Sequence, residues 1–129
     1  MKRVALLAVI VCAAVGTTAG TAATSGPSAV LKQEAVYLNA SNWKPYYALM
    51  GPRFRASCNF STFVARNEAV RKQIKSASIK MITTKFAGSK AFLSYETVAP
   101  PLKPFMTRND LFVKIGGRWY DEFDAVTRC

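Results

Sequence analysis

The acidic side chains are the groups of this 129-residue sequence best suited to acid–base chemistry, and there are seven of them. Near the C-terminal end, Asp121 alternates with Trp119 and Phe123, a spacing that places the three side chains on one face of a predicted strand. Asp121 is therefore the acid that we expect to point inward. Three other acids are expected on solvent-facing helix sides or in a turn: Glu34, Glu68 and Asp110.

The composition excludes several kinds of catalytic site. The sequence has no histidine, which removes Ser–His and Cys–His nucleophilic pairs in their usual form and the commonest metal ligand. Cys58 and Cys129 are too widely spaced to suggest a zinc site. Gly116 and Gly117 lie between two predicted strands and precede no helix, so they do not form a phosphate-binding loop. The sequence predicts no metal ion and no cofactor.

The first residues are typical of a secretory signal peptide. Two cations precede an apolar run, and small residues follow it, so we expect cleavage after Ala22 or Ala23. A membrane anchor would need about 20 apolar residues, more than this run contains. A lipoprotein would need a small residue where Val11 precedes Cys12. Secretion or attachment to the cell envelope is the expected location.

Cleavage would leave a single domain with one pair of cysteines. Cys12 leaves with the signal peptide, whereas Cys58 and Cys129 remain, 71 residues apart. In an oxidising compartment such a pair predicts a disulfide, which the loop-entropy model values at about 4 kcal/mol. The predicted parts are a signal peptide (1–23), a short linker (24–28) and one α+β domain (29–129).

Helical spacing predicts three helices in the first half of the domain. Ser28 is the expected N-cap of the first helix, and Pro52 follows the expected end of the second. A third helix is expected to begin near Asn59. Its inner side is predicted to carry five apolar residues: Phe60, Phe63, Val64, Val70 and Ile74.

From Ser76 onward the apolar residues recur with a period of two, which predicts strands. Turns are expected at Gly88-Ser89 and at Gly116-Gly117, and three prolines between residues 99 and 104 predict a connecting loop. Helices followed by antiparallel strands predict an α+β fold, with the helices on one face of a curved sheet of about four strands.

Two stretches resemble the nuclear transport factor 2-like fold of the cystatin-like superfamily. Residues 112–121 are similar to the closing hairpin of exported bacterial members. The helical half resembles theirs at Asn42-Trp43, Tyr46, Leu49, Pro52, Phe54-Arg55, Cys58 and Phe63. The resemblance implies a cone with an apolar pocket between helices and sheet. Some members of this family are isomerases, cyclases or dehydratases.

For a catalytic site, the resemblance implies a pocket carboxylate that acts as a base beside a tyrosine, which here gives Asp121 with Tyr47. In the alternative interpretation, Asp121 pairs with Arg118 or Lys114 at the strand edge and Tyr47 is a core residue. The aromatic residues predict either an apolar ligand pocket or ordinary core packing. The residues of this predicted pocket are Trp43, Tyr46, Tyr47, Phe60, Phe63 and Trp119.

The sequence is strongly basic, with a formal net charge of +11, or about +9 without the signal peptide. Between Glu34 and Glu96 the only acid is Glu68. A positive field of this kind attracts anionic partners, although it is also typical of a surface that only keeps the protein in solution. The predicted basic surface comprises Arg66, Arg71, Lys72, Lys75 and Lys80.

We therefore expect an exported, non-enzymatic binding domain. Its partner would be an anionic envelope component or a protein, or a small apolar ligand, and any membrane contact would be peripheral. No nucleic-acid recognition motif is present in the sequence, so nucleic acid is not an expected partner. The alternative function is a small pocket enzyme of the isomerase, cyclase or dehydratase kind that uses Asp121 and Tyr47. A cationic effector that acts on membranes is a third option.

Overall fold

The computed structural model describes residues 26–123 and residue 129, and the predicted signal peptide lies outside the described residues. Four helices come first in the chain: α1 (Pro27–Asn39), α2 (Trp43–Ala48), α3 (Pro52–Ser57) and α4 (Phe60–Gln73). Four strands follow them: β1 (Ser78–Ala87), β2 (Lys90–Val98), β3 (Phe105–Ile115) and β4 (Arg118–Asp121). This order confirms the predicted α+β class.

The strands form one antiparallel sheet in the order β1-β2-β3-β4. Tight turns join β1 to β2 and β3 to β4 where the sequence predicted them. Gly88, Gly116 and Gly117 have φ values of 60°, 57° and 80°, in the left-handed region that glycine enters without a steric penalty. Glycine at these positions thus fixes the register of both hairpins.

Two irregularities interrupt the strand pairing. The β1–β2 register shifts between Lys80 and Thr83, and the β2–β3 register shifts between Leu93 and Tyr95. Met81, inside the first irregularity, has a φ of 50° and is 65% exposed. Bulges of this kind bend a strand and increase its twist, which accounts for the curvature of the sheet.

The core lies between the inner face of the sheet and the helices. Along β2, Ala91 and Leu93 are fully buried, and Phe112 of β3 is fully buried beside them. Val30 of α1 and Met50 of the α2–α3 connection pack in the same cluster. Alternation along the strands therefore separates an inner, apolar face from an outer face that the helices leave uncovered.

The first helix starts earlier than predicted. The helix α1 begins at Pro27, with Gly26 as its N-cap, so Ser28 is not the cap and Pro27 and Ser28 belong to the helix rather than to the linker. Proline is favoured at the first helical position because its missing N–H would have no partner there. Gly26 has no side chain that could cap the helix.

The six-residue helix α3 was not predicted from the sequence. We expected Gly51-Pro52 to end a helix, but Pro52 instead occupies the first turn of α3 and Gly51 is the N-cap. A proline can follow the end of one helix and also occupy the first turn of the next, because its φ is fixed near the helical value. The same residue pair can therefore separate two helices.

The last helix, α4, begins as predicted but buries less than predicted. Asn59 caps it, with its side-chain oxygen accepting a hydrogen bond from the N–H of Thr62 at 2.9 Å. Phe63 is buried, whereas Phe60 and Val70 are 42% and 43% exposed, so the prediction that both face inward was wrong. The apolar side of α4 is too narrow to bury all five residues.

Three contacts fasten the end of the sheet to the helices. Cys58 and Cys129 form the predicted disulfide, with their Cα atoms 5.2 Å apart. Asp121 pairs with Met50 in an isolated parallel bridge. The carboxylate of Glu122 accepts hydrogen bonds from the N–H of Phe54 at 2.9 Å and of Arg53 at 3.3 Å, and so caps α3 from a distant part of the chain.

Within residues 26–123 and 129, no helix combines the length and the apolar character that crossing a membrane requires.

Close packing around Gly51 gives a test of the contact between Glu122 and α3. A Cβ atom at position 51 would overlap the side chain of Glu122, so Gly51→Ala should displace the carboxylate and lower the free energy of unfolding by about 1–3 kcal/mol. Urea denaturation measures the loss. In a Glu122→Ala background the same change should cost much less, because the overlapping atoms are gone; equal losses in both backgrounds would contradict this account.

Candidate functional site

Asp121, the acid that the sequence predicted to point inward, lies inside the protein. It ends β4, its side chain points toward the helices, and it is 1% exposed. One carboxyl oxygen, Oδ1, accepts a hydrogen bond from the N–H of Phe123 at 2.8 Å. The alternation that predicted an inward orientation for Asp121 is confirmed.

Two more acids meet Asp121 in the interior, and together we call Glu34, Asp110 and Asp121 the carboxyl cluster. Glu34 comes from α1 and is 5% exposed, and Asp110 comes from β3 and is 2% exposed. Both lie within hydrogen-bonding reach of Asp121. The hydroxyl of Tyr95, on β2, donates to Oδ2 of Asp110 at 2.7 Å. The cluster and Tyr95 together therefore join α1 to three strands.

Burial and mutual repulsion raise the pKa values of Glu34 and Asp121. Burial raises the pKa of Glu34 well above its usual value, and the neighbouring charge of Asp121 raises it further. The pKa of Asp121 is raised by burial first and then by the charge of Asp110, and its hydrogen bonds to Glu34 and to the N–H of Phe123 only partly oppose this. Two carboxyls in contact need a shared proton, because both are acceptors when ionised.

The hydrogen bonding agrees with a shared proton. Oε1 of Glu34 and Oδ2 of Asp121 are buried and receive no hydrogen bond from an amide or hydroxyl group of the described part of the chain. Within the described residues, the donor that remains for either oxygen is the carboxyl group of its neighbour. The same surroundings raise the pKa of Tyr46 and of Tyr95, in both cases chiefly through burial, so both hydroxyls stay protonated.

Two of these three acids lie in places that the sequence did not predict. Glu34 was expected on a solvent-facing side of a helix, yet it follows Val30 by four residues and Leu31 by three, which is the spacing of the buried face. Asp110 was expected in a turn, yet it lies within β3, two residues before the fully buried Phe112. The spacing alone would have placed both residues on buried faces, but charged residues are rarely fully buried, so we expected them in solvent.

Tyr47, the predicted partner of Asp121, makes other contacts. Its hydroxyl donates to the carbonyl oxygen of Cys58 at 2.7 Å and lies 3.4 Å from that of Arg55, so it holds the segment between α3 and α4. Its ring packs against Phe60 and Phe63, with centroids 5.4 Å and 5.1 Å away. The structure thus gives Asp121 and Tyr47 separate sets of partners.

The six residues of the predicted pocket lie in three different places. Tyr46 and Phe63 line a cavity of about 190 Å³. Tyr47 packs against Phe63, and Phe60 packs against Tyr47, next to this cavity. Trp43 lines a second cavity, of about 210 Å³, beside α4. Trp119 lies on β4, where its ring centroid is 5.8 Å from that of Phe86.

The first cavity is apolar and small. Its wall combines aromatic and aliphatic side chains with two polar ones, and it includes Tyr46, Phe54, Phe63, Arg66, Asn67, Val70, Phe123 and Cys129. Pockets for drug-sized molecules measure about 300–1,000 Å³. A cavity of this size accommodates only a short apolar group.

Four of the five residues of the predicted basic surface are exposed, namely Arg66, Lys72, Lys75 and Lys80. Arg71 is half-buried, and the prediction that it faces water was wrong. Its guanidinium donates to the carbonyl oxygens of Asn39, Ile74 and Lys75 at 2.9–3.3 Å, which ties the end of α1 to the end of α4. This cation is used as a structural clamp.

Across residues 26–123 and 129, no group of three acidic or cysteine side chains has an arrangement that could hold a metal ion.

The raised pKa values predict that stability falls as the pH rises. The folded protein keeps protons that the unfolded chain releases above the ordinary pKa values of 4.5 for Glu34 and 3.8 for Asp121. The contribution of these protons to the free energy of unfolding is complete below about pH 4. It is lost as the pH rises from there, at about 1.4 kcal/mol per pH unit for each proton retained. Urea denaturation between pH 4 and pH 8 measures this slope.

Glu34→Gln should make the slope shallower, because glutamine removes one titrating group from the cluster. The control is Glu68→Gln, on the exposed side of α4, which should leave the slope unchanged. Identical slopes for the wild type and both variants would show that the cluster does not retain protons on folding.

Neither the comparison with protein-family models nor the comparison with curated proteins gives a match for this chain. Membership of the nuclear transport factor 2-like family therefore stays a prediction from the sequence.

Proposed function

We propose that the chain is an exported, non-enzymatic binding domain that attaches to an anionic component of the cell envelope. The observation that carries this proposal is the separation of charge between interior and surface. Of the six acids in the described part of the chain, Glu34, Asp110, Asp121 and Glu122 are buried. Fourteen of its fifteen lysines and arginines are exposed, and Arg71 is half-buried.

This separation makes the surface more positive than the formal charge indicates. Glu68 is exposed and Glu96 is half-buried, which leaves these two carboxylates to balance the surface cations of the described residues. A proton shared by Glu34 and Asp121 removes one further negative charge from the protein. An excess of positive charge at the surface attracts anionic polymers and lipid headgroups over several ångströms and increases the rate of encounter.

Export is supported by the N-terminal sequence pattern and by the disulfide. Disulfides persist in oxidising compartments outside the cytosol, and Cys58 and Cys129 form one. The anionic polymers and lipids of an envelope are the partners that such a compartment offers to a basic protein.

The pocket-enzyme hypothesis receives less support. A catalytic base must come within about 3 Å of the proton that it removes, directly or through one water. Asp121 is 1% exposed, and its neighbours Glu34 and Asp110 are hardly more accessible. Tyr47 uses its hydroxyl to hold the α3–α4 segment. A substrate would have to displace packed side chains before it reached either residue.

Electrostatic binding predicts a steep dependence on salt. The disulfide-bonded mature chain should bind vesicles that contain phosphatidylglycerol and should bind phosphatidylcholine vesicles weakly or not at all. Raising the salt concentration from roughly 0.05 M to 0.5 M should weaken the binding by about tenfold or more, because salt screens exposed charges. Sedimentation of the protein with the vesicles measures both effects.

A soluble polyanion such as polyphosphate provides the second arm of the experiment. It should compete with the vesicles if the surface recognises negative charge. Absence of binding to both anionic materials at low salt would overturn the proposed function, as would binding that salt does not weaken.

A further inference from the structure

The turns of the two β-hairpins lie side by side at one end of the sheet. The turns at Gly88-Ser89 and Gly116-Gly117 adjoin each other, because the N–H of Lys114 donates to the carbonyl oxygen of Ser89 at 2.7 Å. Six residues flank these turns at this end of the sheet, which we call the hairpin tip: Lys85, Phe86, Lys90, Lys114, Ile115 and Arg118. By the strand register, Phe86 and Lys114 lie on the face that carries Phe112, and the other four lie on the opposite face.

Large apolar side chains of the hairpin tip are exposed to water. Phe86 is 66% exposed and Ile115 is 48% exposed, although both are large enough to be core residues. Phe86 rests against the ring of Trp119, with centroids 5.8 Å apart, so its position is fixed on one side while most of its ring remains free. An exposed aromatic ring supported by a buried tryptophan is a preformed apolar contact point.

The same six residues carry a concentrated positive charge. Lys85, Lys90, Lys114 and Arg118 are all exposed. The sequence contains no acid from Lys85 to Phe92 or from Leu111 to Tyr120. The acids that flank the second hairpin, Asp110 and Asp121, are buried in the carboxyl cluster. The apolar side chains thus lie among cations. Within residues 26–123, the two acids that are not buried, Glu68 on α4 and Glu96 near the other end of β2, belong to neither hairpin end.

We propose that the hairpin tip is the surface through which this protein docks on an anionic lipid bilayer. This inference rests on the proposed function and specifies its partner and its contact residues. With the two turns directed at the bilayer, Phe86 and Ile115 enter the boundary between headgroups and acyl chains from opposite faces of the sheet, while the four cations lie among the anionic headgroups.

Charge complementarity selects this partner over two others. A second copy of the chain would bring four cations against four cations, which opposes association through this surface. A soluble polyanion would satisfy the cations but would leave Phe86 and Ile115 in water. An anionic bilayer provides negative charge and an apolar layer within the same few ångströms of depth.

The test compares two exposed apolar residues on the same strand. Phe86→Ser should lower the affinity for phosphatidylglycerol vesicles by about tenfold, because the exposed ring no longer enters the bilayer. Met81→Ser is the matched control: Met81 is 65% exposed on β1 but lies five residues from Phe86, roughly 16 Å along the strand. Its substitution should leave vesicle affinity unchanged. Neither change should alter binding to soluble polyphosphate.

Depth of insertion gives an independent readout. Phe86→Trp should add fluorescence that lipids brominated on their acyl chains quench, whereas Met81→Trp should add fluorescence that they do not quench. Thermal unfolding of the four variants establishes that each is folded before its binding is interpreted.

The outcomes separate this inference from the proposed function. Equal vesicle affinities for Phe86→Ser and Met81→Ser, or equal quenching of the two tryptophan variants, would overturn the assignment of the hairpin tip. If salt-dependent binding to anionic material persisted in that case, the proposed function would stand. Binding of the wild type to polyphosphate but not to vesicles would also overturn the bilayer as partner.

Discussion

The burial of acidic side chains is the constraint on which the rest of this structure depends. Each buried acid joins parts of the chain that are distant in sequence: Glu34 meets Asp121 between α1 and β4, and Asp110 meets Tyr95 between β3 and β2. Glu122 caps α3 with its carboxylate. A buried acid is costly unless it is hydrogen-bonded or neutral, and here the contacts supply one or the other. Internal contacts thus occupy most of the described acids.

The character of the surface follows from this use of the acids. Because the carboxylates are inside, the lysines and arginines outside have few surface partners of opposite charge in the described part of the chain. A protein with a balanced surface would need a dedicated site to recognise negative charge. The distribution of charge between interior and exterior is the basis of the recognition of negative charge that we propose, and the proposed docking surface at the ends of the two hairpins adds apolar contacts to it.

Local patterns in the sequence were sufficient for the sheet and insufficient for the site. Glycine at the two turns, alternation along the strands and the spacing of the two cysteines predicted both hairpins, the fold class and the disulfide. The carboxyl cluster was not predicted, because the residue types of Glu34 and Asp110 suggested solvent while their spacing matched Val30 and Phe112. Which of these signals prevails depends on partners from other elements, and a single sequence does not reveal them. The helix α3 was missed for a similar reason, since its cap comes from Glu122.

The irregular pairing of β1 has a consequence for the behaviour of the protein at high concentration. The strand β1 forms an open edge of the sheet, whose unpaired backbone groups could template the addition of another chain. Met81 leaves the extended conformation in the middle of this edge, and Lys80 and Lys85 lie on either side of it. A bent edge that carries positive charge pairs poorly with a second copy of itself. The bulge that curves the sheet therefore also protects the protein against edge-to-edge aggregation.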